Sequence, residues 1–420
     1  MAIRELDSSR TSIKANNLAD KFKDRIVGQP KGFEALVRIL EKYQSGIYDR
    51  TRPIASLLFL GPTGCGKTGS VEAFVEGLFG SATHFLKVDC AEFQHSHEIA
   101  KLTGSPPGYL GHNETHPFFT NKAIRGKFCK YTQAGAECGQ LDPAFTVILF
   151  DEIEKANDSL WNLLLGILDR GSLTTGTNEV VDFTPTVIIM TSNVGSAELA
   201  VKSGSAGIGF ANTVDYIFDY DTMKDVAMSA ARQKFTPEFL NRLDDAIVFR
   251  SLSPADLIPI LRIELDKLRA QIILTSRNVF ELEVSPAATS KILADGYDKR
   301  YNARNLRRTI ERYVSLPLAR LVATGQIFDN DTLVVDYKDG KWAYFAKTEI
   351  KSGISKPSVP EGRLEMPTLS KTSDASTPPY PVQEPWWEPY YDESSDDLRD
   401  LSRYDPSTFI DSRGNKRILK

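Results

Sequence analysis

The 420-residue chain has little of what marks secreted, membrane or nucleic-acid-coating proteins. Its four cysteines, Cys65, Cys90, Cys129 and Cys138, are too few and too scattered for a disulfide framework, so a reducing, cytoplasmic setting is expected. No apolar run approaches the ~20 residues that span a bilayer, and the amino-terminal MAIRELDSSR lacks the apolar core of a secretory signal. Neither charge sign dominates: 51 Lys and Arg stand against 55 Asp and Glu, a net charge of −4 that argues against a strongly basic nucleic-acid binder. There is no internal repeat, which removes the solenoid architectures. What remains is the composition of a soluble globular protein, long enough for two domains and additional segments.

The composition changes near residue 350. Nine of the 22 prolines fall beyond it, among serines, threonines and acids without helical or strand periodicity. Such a stretch buries too little apolar surface to offset the entropy of ordering, so residues 350–420 read as a disordered tail. It holds one aromatic knot, Trp386, Trp387, Tyr390 and Tyr391, which fits a bland linker and a short docking motif equally well. Upstream, SLLFL (56–60), HFLKV (84–88), TVILF (146–150), TVIIM (186–190) and AIVF (246–249) are continuous apolar runs, the pattern of parallel strands buried on both faces. DSLWNLLLGILDRG between them reads as a helix with Asp158 as N-cap and Gly171 as stop. From about residue 254 the pattern turns helical and closes with a strand pair, DTLVVDY and KWAYFA. The expected organisation is a leader at 1–18, a large α/β domain at 19–250, a smaller and mostly helical domain at 251–349, and the tail.

The strongest motif is GPTGCGKT, which fills G-x-x-x-x-G-K-[ST] in full between a buried strand and a helix. Gly61, Gly64 and Gly66 let the backbone of Gly61, Pro62, Thr63, Gly64, Cys65 and Gly66 curl so that its N–H groups face phosphates. Lys67 adds a cation near the outer phosphates, and Thr68 a hydroxyl ligand for Mg²⁺. About 80 residues later, VILFDE places Asp151 and Glu152 at a strand tip, where ligands gather in open α/β sheets. Asp151 suits the Mg²⁺ shell and Glu152 the polarisation of an attacking water. TVIIMTSN ends in Asn193, an amide able to hold that water. Taken alone, Asn193 reads as an ordinary strand-end asparagine.

In this order the pieces resemble the AAA+ ATPases, and more narrowly the second ATPase module of the Clp unfoldases, over about residues 20–345. IVGQPKG, GSPPGYLG, EIEKAN, GILDRGSLTTGTNEVVDFTPTVIIMTSNVGS, KFTPEFLNRLDDAIVF and YDKRYNARNLRR carry the likeness. The resemblance implies an α/β fold: a P-loop NTPase with a parallel sheet flanked by helices and a smaller, mostly helical lid domain. It implies ATP and Mg²⁺, with Ile26 and Val27 on the adenine side. It makes Arg242 the arginine finger that reaches a neighbour's nucleotide, hence a homo-hexameric ring, and Arg304 the second sensor on its own subunit's phosphates. Tyr109, with Leu110, becomes the pore loop that grips an extended polypeptide substrate. Ile208, Gly209 and Phe210 match the tripeptide that docks a barrel peptidase in some subfamilies. The implied activity is ATP hydrolysis coupled to protein unfolding.

Three departures stand out. About 20 residues precede the ATPase module, so a stand-alone single-module protein is expected. Residues 112–143 form a longer segment than is usual there; its His112, His116, Cys129 and Cys138 raise a zinc site, against which C-x₈-C is poor ligand spacing. Asn302 stands where the resemblance expects glycine, a tolerable change because Asn accepts positive φ. In the loop itself, Cys65 beside Lys67 and a helix N-terminus is a candidate for raised thiolate character, against the plainer role of a small packing residue. The alternative function is an ATP-dependent assembly switch or scaffold that presents the tail to a partner or adaptor. A nucleic-acid remodeller is the weakest reading, since no basic stripe is present, and no membrane partner is expected.

Overall fold

Five apolar runs become five strands of one sheet: β1 (Ala55–Leu60), β2 (Leu86–Asp89), β3 (Thr146–Asp151), β6 (Thr186–Ser192) and β7 (Asp245–Val248). The short hairpin strands β4 (Ser172–Thr174) and β5 (Val180–Asp182) lie between β3 and β6 in sequence. The computed structural model describes residues 10–105, 116–129, 144–202, 220–275, 279–297 and 303–348, and two short strands beyond them. The sheet runs in the order β2-β3-β6-β1-β7, all pairs parallel. Side chains alternate faces along a strand. Leu58, Leu60, Ile148, Phe150, Ile188, Met190, Ala246 and Val248 enter one core. Leu57, Phe59, Val147, Leu149, Val187, Ile189, Ile247 and Phe249 enter the other. Burial on both faces is why β1, β3, β6 and β7 read as apolar runs. The edge strand β2 departs from that expectation, alternating buried Leu86 and Val88 with exposed Lys87 and Asp89.

Helices cover the two faces. On one side lie α1 (Ile13–Lys23), α2 (Pro30–Ser45) and α3 (Lys67–Phe79), whose buried apolar side chains belong to the second core. The short α4 (Ala100–Thr103) and α5 (Asn121–Cys129) follow, then α6 (Asp158–Arg170), α7 (Ser196–Lys202), α8 (Tyr220–Lys234) and α9 (Pro237–Asn241). Leu160, Trp161, Leu164, Ile167 and Leu168 of α6 pack into the first core with Phe235 and Phe239. Helix α6 begins one residue earlier than its composition suggests. Asn157 is the N-cap, accepting from the Ser159 N–H at 3.1 Å, and Asp158 is the first helical residue. Gly171 ends it at φ 59°.

The smaller region holds α10 (Pro254–Thr275), β8 (Glu281–Val284), α11 (Pro286–Gly296), α12 (Ala303–Ile310), α13 (Leu316–Ala323), β9 (Asp331–Lys338) and β10 (Lys341–Thr348). The expected strand pair is β9–β10; β8 adds a third strand, parallel to β9. Leu261, Leu265, Ile292, Leu306, Val314 and Leu333 centre its core. All of this belongs to one compact unit, residues 1–352. Residues 353–420 form a second unit. There the stretch expected to be structureless contains an antiparallel pair, β11 (Thr408–Ile410) and β12 (Lys416–Ile418). Among the described residues no helix is long and apolar enough to cross a membrane.

Candidate active site

Strand β1 delivers the chain to Gly61, and the next five residues turn into α3. Gly61 takes φ 141°, and a Cβ there would lie 2.4 Å from the Phe249 carbonyl oxygen, so the position admits glycine alone. Gly64 and Gly66 also have positive φ, and Gly66 is the N-cap of α3 without a side-chain cap. The first N–H groups of α3 therefore remain free to meet an anion.

Lys67 is 8% exposed. Its Nζ donates to the carbonyls of Gly61 (2.6 Å) and Pro62 (2.9 Å) and to Asn193 Oδ1 (2.9 Å). Burial pushes this ammonium below its ordinary range, and the acids Glu154, Asp151 and Glu152 partly offset that push. Thr63 Oγ1 also donates to Asn193 Oδ1, at 3.3 Å. Thr68 Oγ1 donates to Asp151 Oδ1 at 3.2 Å, Thr191 Oγ1 donates to the same oxygen, and Lys87 Nζ stands 2.8 Å from Asp151 Oδ2. Burial raises the cost of charge on Asp151, but the bonds from Lys87, Thr191 and Thr68 outweigh it and hold the carboxyl below its ordinary range. Glu152 follows at φ 58°, its N–H donating to Thr191 Oγ1 at 3.1 Å and its carboxylate paired with Lys155. A non-glycine residue in this region is rare and turns the Glu152 side chain off the strand line.

Strand register thus brings Lys67, Thr68, Asp151, Glu152 and Asn193 to one edge of the sheet. Ile26 covers the start of α3: a Cβ on Gly69 would meet its Cδ1 at 3.3 Å, and half-buried Val27 follows it. Arg242 is elsewhere. Ser56 Oγ, at the start of β1, donates to the Arg242 carbonyl at 3.3 Å. Four residues of strand separate Ser56 from Leu60, roughly 13 Å. Arg242 therefore sits at the opposite edge, half-exposed and 2.9 Å from Asp169. Arg304 is exposed in the first turn of α12. Tyr109, Leu110, Ile208, Gly209 and Phe210 lie outside the described residues, as do His112, Cys138, Asn302 and the four tail aromatics.

Cys65 takes the plainer of its two readings. It is 1% exposed, packed in the core with α1–α3, and burial raises its thiol above the ordinary value more than Lys67 lowers it. It is a packing residue and not a reactive thiolate. Four participants escaped the sequence reading. Glu154 Oε1 accepts from the Asn193 N–H at 3.1 Å. Thr191 and Lys87 hold Asp151. Gln29 donates to the Cys65 carbonyl at 3.0 Å. Glu154 had a local signal, being a third acid close behind Asp151 and Glu152. The others had none.

A buried loop lysine, a strand-tip acid pair and a neighbouring strand-end amide define a P-loop nucleotide site. The profile of the AAA domain (Cdc48 subfamily) matches residues 52–246, and that of the C-terminal, D2-small domain of ClpB protein matches residues 252–335. The chaperone protein ClpB of Aquifex aeolicus is 37% identical over 336 residues, 80% of this chain and 31% of that protein. The ATP-dependent Clp protease ATP-binding subunit ClpC of Staphylococcus saprophyticus is 37% identical over 347 residues, 83% of this chain and 39% of that protein. A closed-state reconstruction of Hsp104 with ATPγS and FITC-casein superposes with TM-score 0.63 at 28% identity, covering 79% of this chain and 52% of that one. The chain belongs to the Clp family of ATP-binding AAA+ proteins, as a module homologous to the C-terminal module of ClpB and ClpC. It spans 31% and 39% of the length of these two curated relatives.

Proposed function

We propose that the chain is an ATP-hydrolysing, ring-forming protein unfoldase or remodelling chaperone that threads polypeptide through a central pore. The observation that carries this reading is the convergence of Lys67, Thr68, Asp151, Glu152 and Asn193 at one sheet edge, with Arg242 at the other. The domain boundaries follow the same reading: an ATPase domain at 19–250 and a lid at 251–349, acting in the cytoplasm.

The residues suit the roles. The loop N–H groups of Gly61–Gly66 and Lys67 bind the phosphates, and Ile26 and Val27 flank the base. Thr68 and Asp151 offer the oxygen donors that Mg²⁺ prefers, already 3.2 Å apart, and would hold it. Bound there, the ion neutralises charge on the outer phosphates. Glu152 orients and polarises the attacking water, and Asn193, braced by Lys67, Thr63 and Glu154, holds it in line. Arg242, remote from its own phosphate loop and exposed, supplies a guanidinium to the next subunit of a homo-hexamer. Arg304 reaches its own subunit's phosphates from the lid. The Hsp104 structure with ATPγS and casein supports carrying nucleotide and polypeptide to this chain.

Steady-state ATPase activity with and without an unfolded model protein tests the proposal. The expected result is hydrolysis stimulated by the polypeptide, and loss of that stimulation in Tyr109→Ala. Absence of hydrolysis sinks the enzyme reading. Substrate-blind hydrolysis with a silent Tyr109 moves the case to the assembly switch. In a degradation assay with a barrel peptidase, Phe210→Ala decides whether Ile208–Phe210 docks one.

A further inference from the structure

Residues 249–253 connect β7 to α10 and so join the two halves of the module. This connector is laced to the phosphate loop. The Phe249 N–H donates to the Leu60 carbonyl at 2.7 Å, and the Phe249 carbonyl presses on Gly61. The backbone of Arg250 is held from both sides by one side chain: Gln29 Oε1 accepts from its N–H at 3.2 Å, and Gln29 Nε2 donates to its carbonyl at 2.9 Å. The same Nε2 donates to the Cys65 carbonyl at 3.0 Å. An amide has two N–H donors and a carbonyl acceptor, so Gln29 meets all three groups at once. It is 6% exposed, and losing it would leave one buried and two partly buried main-chain groups short of a partner.

From Arg250 the chain of bonds runs forward. Its guanidinium forks onto Asp256 at 2.7 and 2.9 Å, and Asp256 accepts from the Ser253 N–H at 2.8 Å. Ser253 and Asp256 form a capping box at the start of α10. Gly28 is the counterpart on the entry segment: a Cβ there would lie 2.7 Å from Arg250 Nη2. The link to the nucleotide side is geometric. The Cys65 carbonyl and the Gly66 N–H belong to one planar peptide. Any rotation that aims the Gly66 N–H at a phosphate swings the carbonyl that Gln29 holds.

The geometry points to Gln29 as a positioning residue that ties the phosphate loop to the interdomain connector. A change at the Cys65–Gly66 peptide passes through Gln29, Arg250 and Asp256 to α10 and the lid. This rests on the nucleotide reading above. Glutamate at this position accepts but does not donate, and leucine does neither, so both cut the tie while keeping the size.

The test uses the full chain with a fluorophore pair at exposed Thr83 and Ser290, one on each half, and a fluorescent ATP analogue. The wild type is expected to bind the analogue and to shift its energy transfer on saturation. Gln29→Glu and Gln29→Leu are expected to bind within about fivefold of wild type and to lose most of the shift, with kcat falling more than KM changes. Asp256→Asn, at the outer end of the relay, keeps the buried bonds of Gln29. It is expected to lose part of the shift even if the Gln29 variants do not fold. A full shift in any folded Gln29 variant, or in Asp256→Asn, overturns the tie. So does a wild type that binds and shows no shift. A folded Gln29 variant whose affinity collapses while its saturated shift stays whole reduces Gln29 to loop packing, and also overturns it. A wild type that binds no nucleotide at all is the separate failure of the ATPase reading.

Discussion

At the carboxyl end of β1 the chain turns into a loop whose lysine is 8% exposed and held by three oxygens. At the amino end of the same strand, Ser56 and Asp244 exchange hydrogen bonds: Ser56 N–H to Asp244 Oδ2 at 2.7 Å, Asp244 N–H to the Ser56 carbonyl at 2.9 Å. They brace Arg242, which stays half-exposed beside Asp169. One end keeps its lysine inside, satisfied by neutral carbonyl and amide oxygens. The other uses its buried bonds only to aim a cation outward. Such a division is expected of a catalytic site shared between copies, because the half offered to a neighbour has to remain at the surface.

The comparison breaks most sharply at Arg242. Arg242→Ala is expected to lower hydrolysis about 10³-fold with nucleotide affinity unchanged, the scale of an arginine finger. Mixing it with Lys67→Ala subunits should restore part of the activity, since each variant then supplies the half the other lacks. Failure to complement in a mixed-subunit ATPase titration returns Arg242 to a role in its own chain. Lys67→Ala removes a buried charge and leaves the Gly61 and Pro62 carbonyls unpaired. It is expected to weaken ATP binding about 100-fold, which titration with a fluorescent nucleotide reads directly.

Four of the sheet strands, β1, β3, β6 and β7, were legible because side chains on both of their faces are buried, while β2 alternates buried Leu86 and Val88 with exposed Lys87 and Asp89 and was legible from those apolar residues alone. The loop and its strand-tip acids were legible because the phosphate motif is local in sequence. β8 escaped because it is four residues long with the exposed residues Glu281 and Glu283, and β4 and β5 because they are only three residues each. Asn157 was passed over for Asp158 because either residue caps a helix well, and only the backbone decides which one lies outside it. Gln29 was invisible for another reason. Its partner Arg250 is 221 residues away, and a polar residue in a glycine-flanked turn looks like surface until the fold closes over it. Cys65 stood open between two roles for the same reason, since its neighbours are written in the sequence and its burial is not.

Smaller effects sharpen the contrast between the ends. Gly61→Ala forces a Cβ against the Phe249 carbonyl at a φ that side chains rarely adopt, and is expected to cost about 2–3 kcal/mol. Ser56→Ala removes one hydroxyl from the amino end and is expected to cost about 1 kcal/mol. Urea melts of the two variants measure the difference, and equal losses would mean that the ends are equally constrained. The smallest effect concerns Asp256. Burial opposes its charge, but Arg250 and Ser253 prevail and hold its carboxyl below the ordinary 3.8. A depressed folded value means stability that is present above the unfolded value and is lost as pH falls through the folded one. The gap between wild type and Asp256→Asn should be about 1 kcal/mol or less, flat from neutral pH to about pH 5, and should close below pH 4. A gap that widens in acid reverses the sign.

Cys65 and Cys90 are both closed off, one in each core. A thiol reagent reaches either one only while the structure around it is open. The rate of modification at Cys65 therefore counts how often the phosphate loop comes apart in the intact protein, and the rate at Cys90 counts openings on the other face of the sheet. Nucleotide that binds only the closed loop would slow the first rate in proportion to its saturation of the site. Read site by site, these two of the chain's four thiols make a two-channel clock for the molecule's breathing, with no fluorophore added.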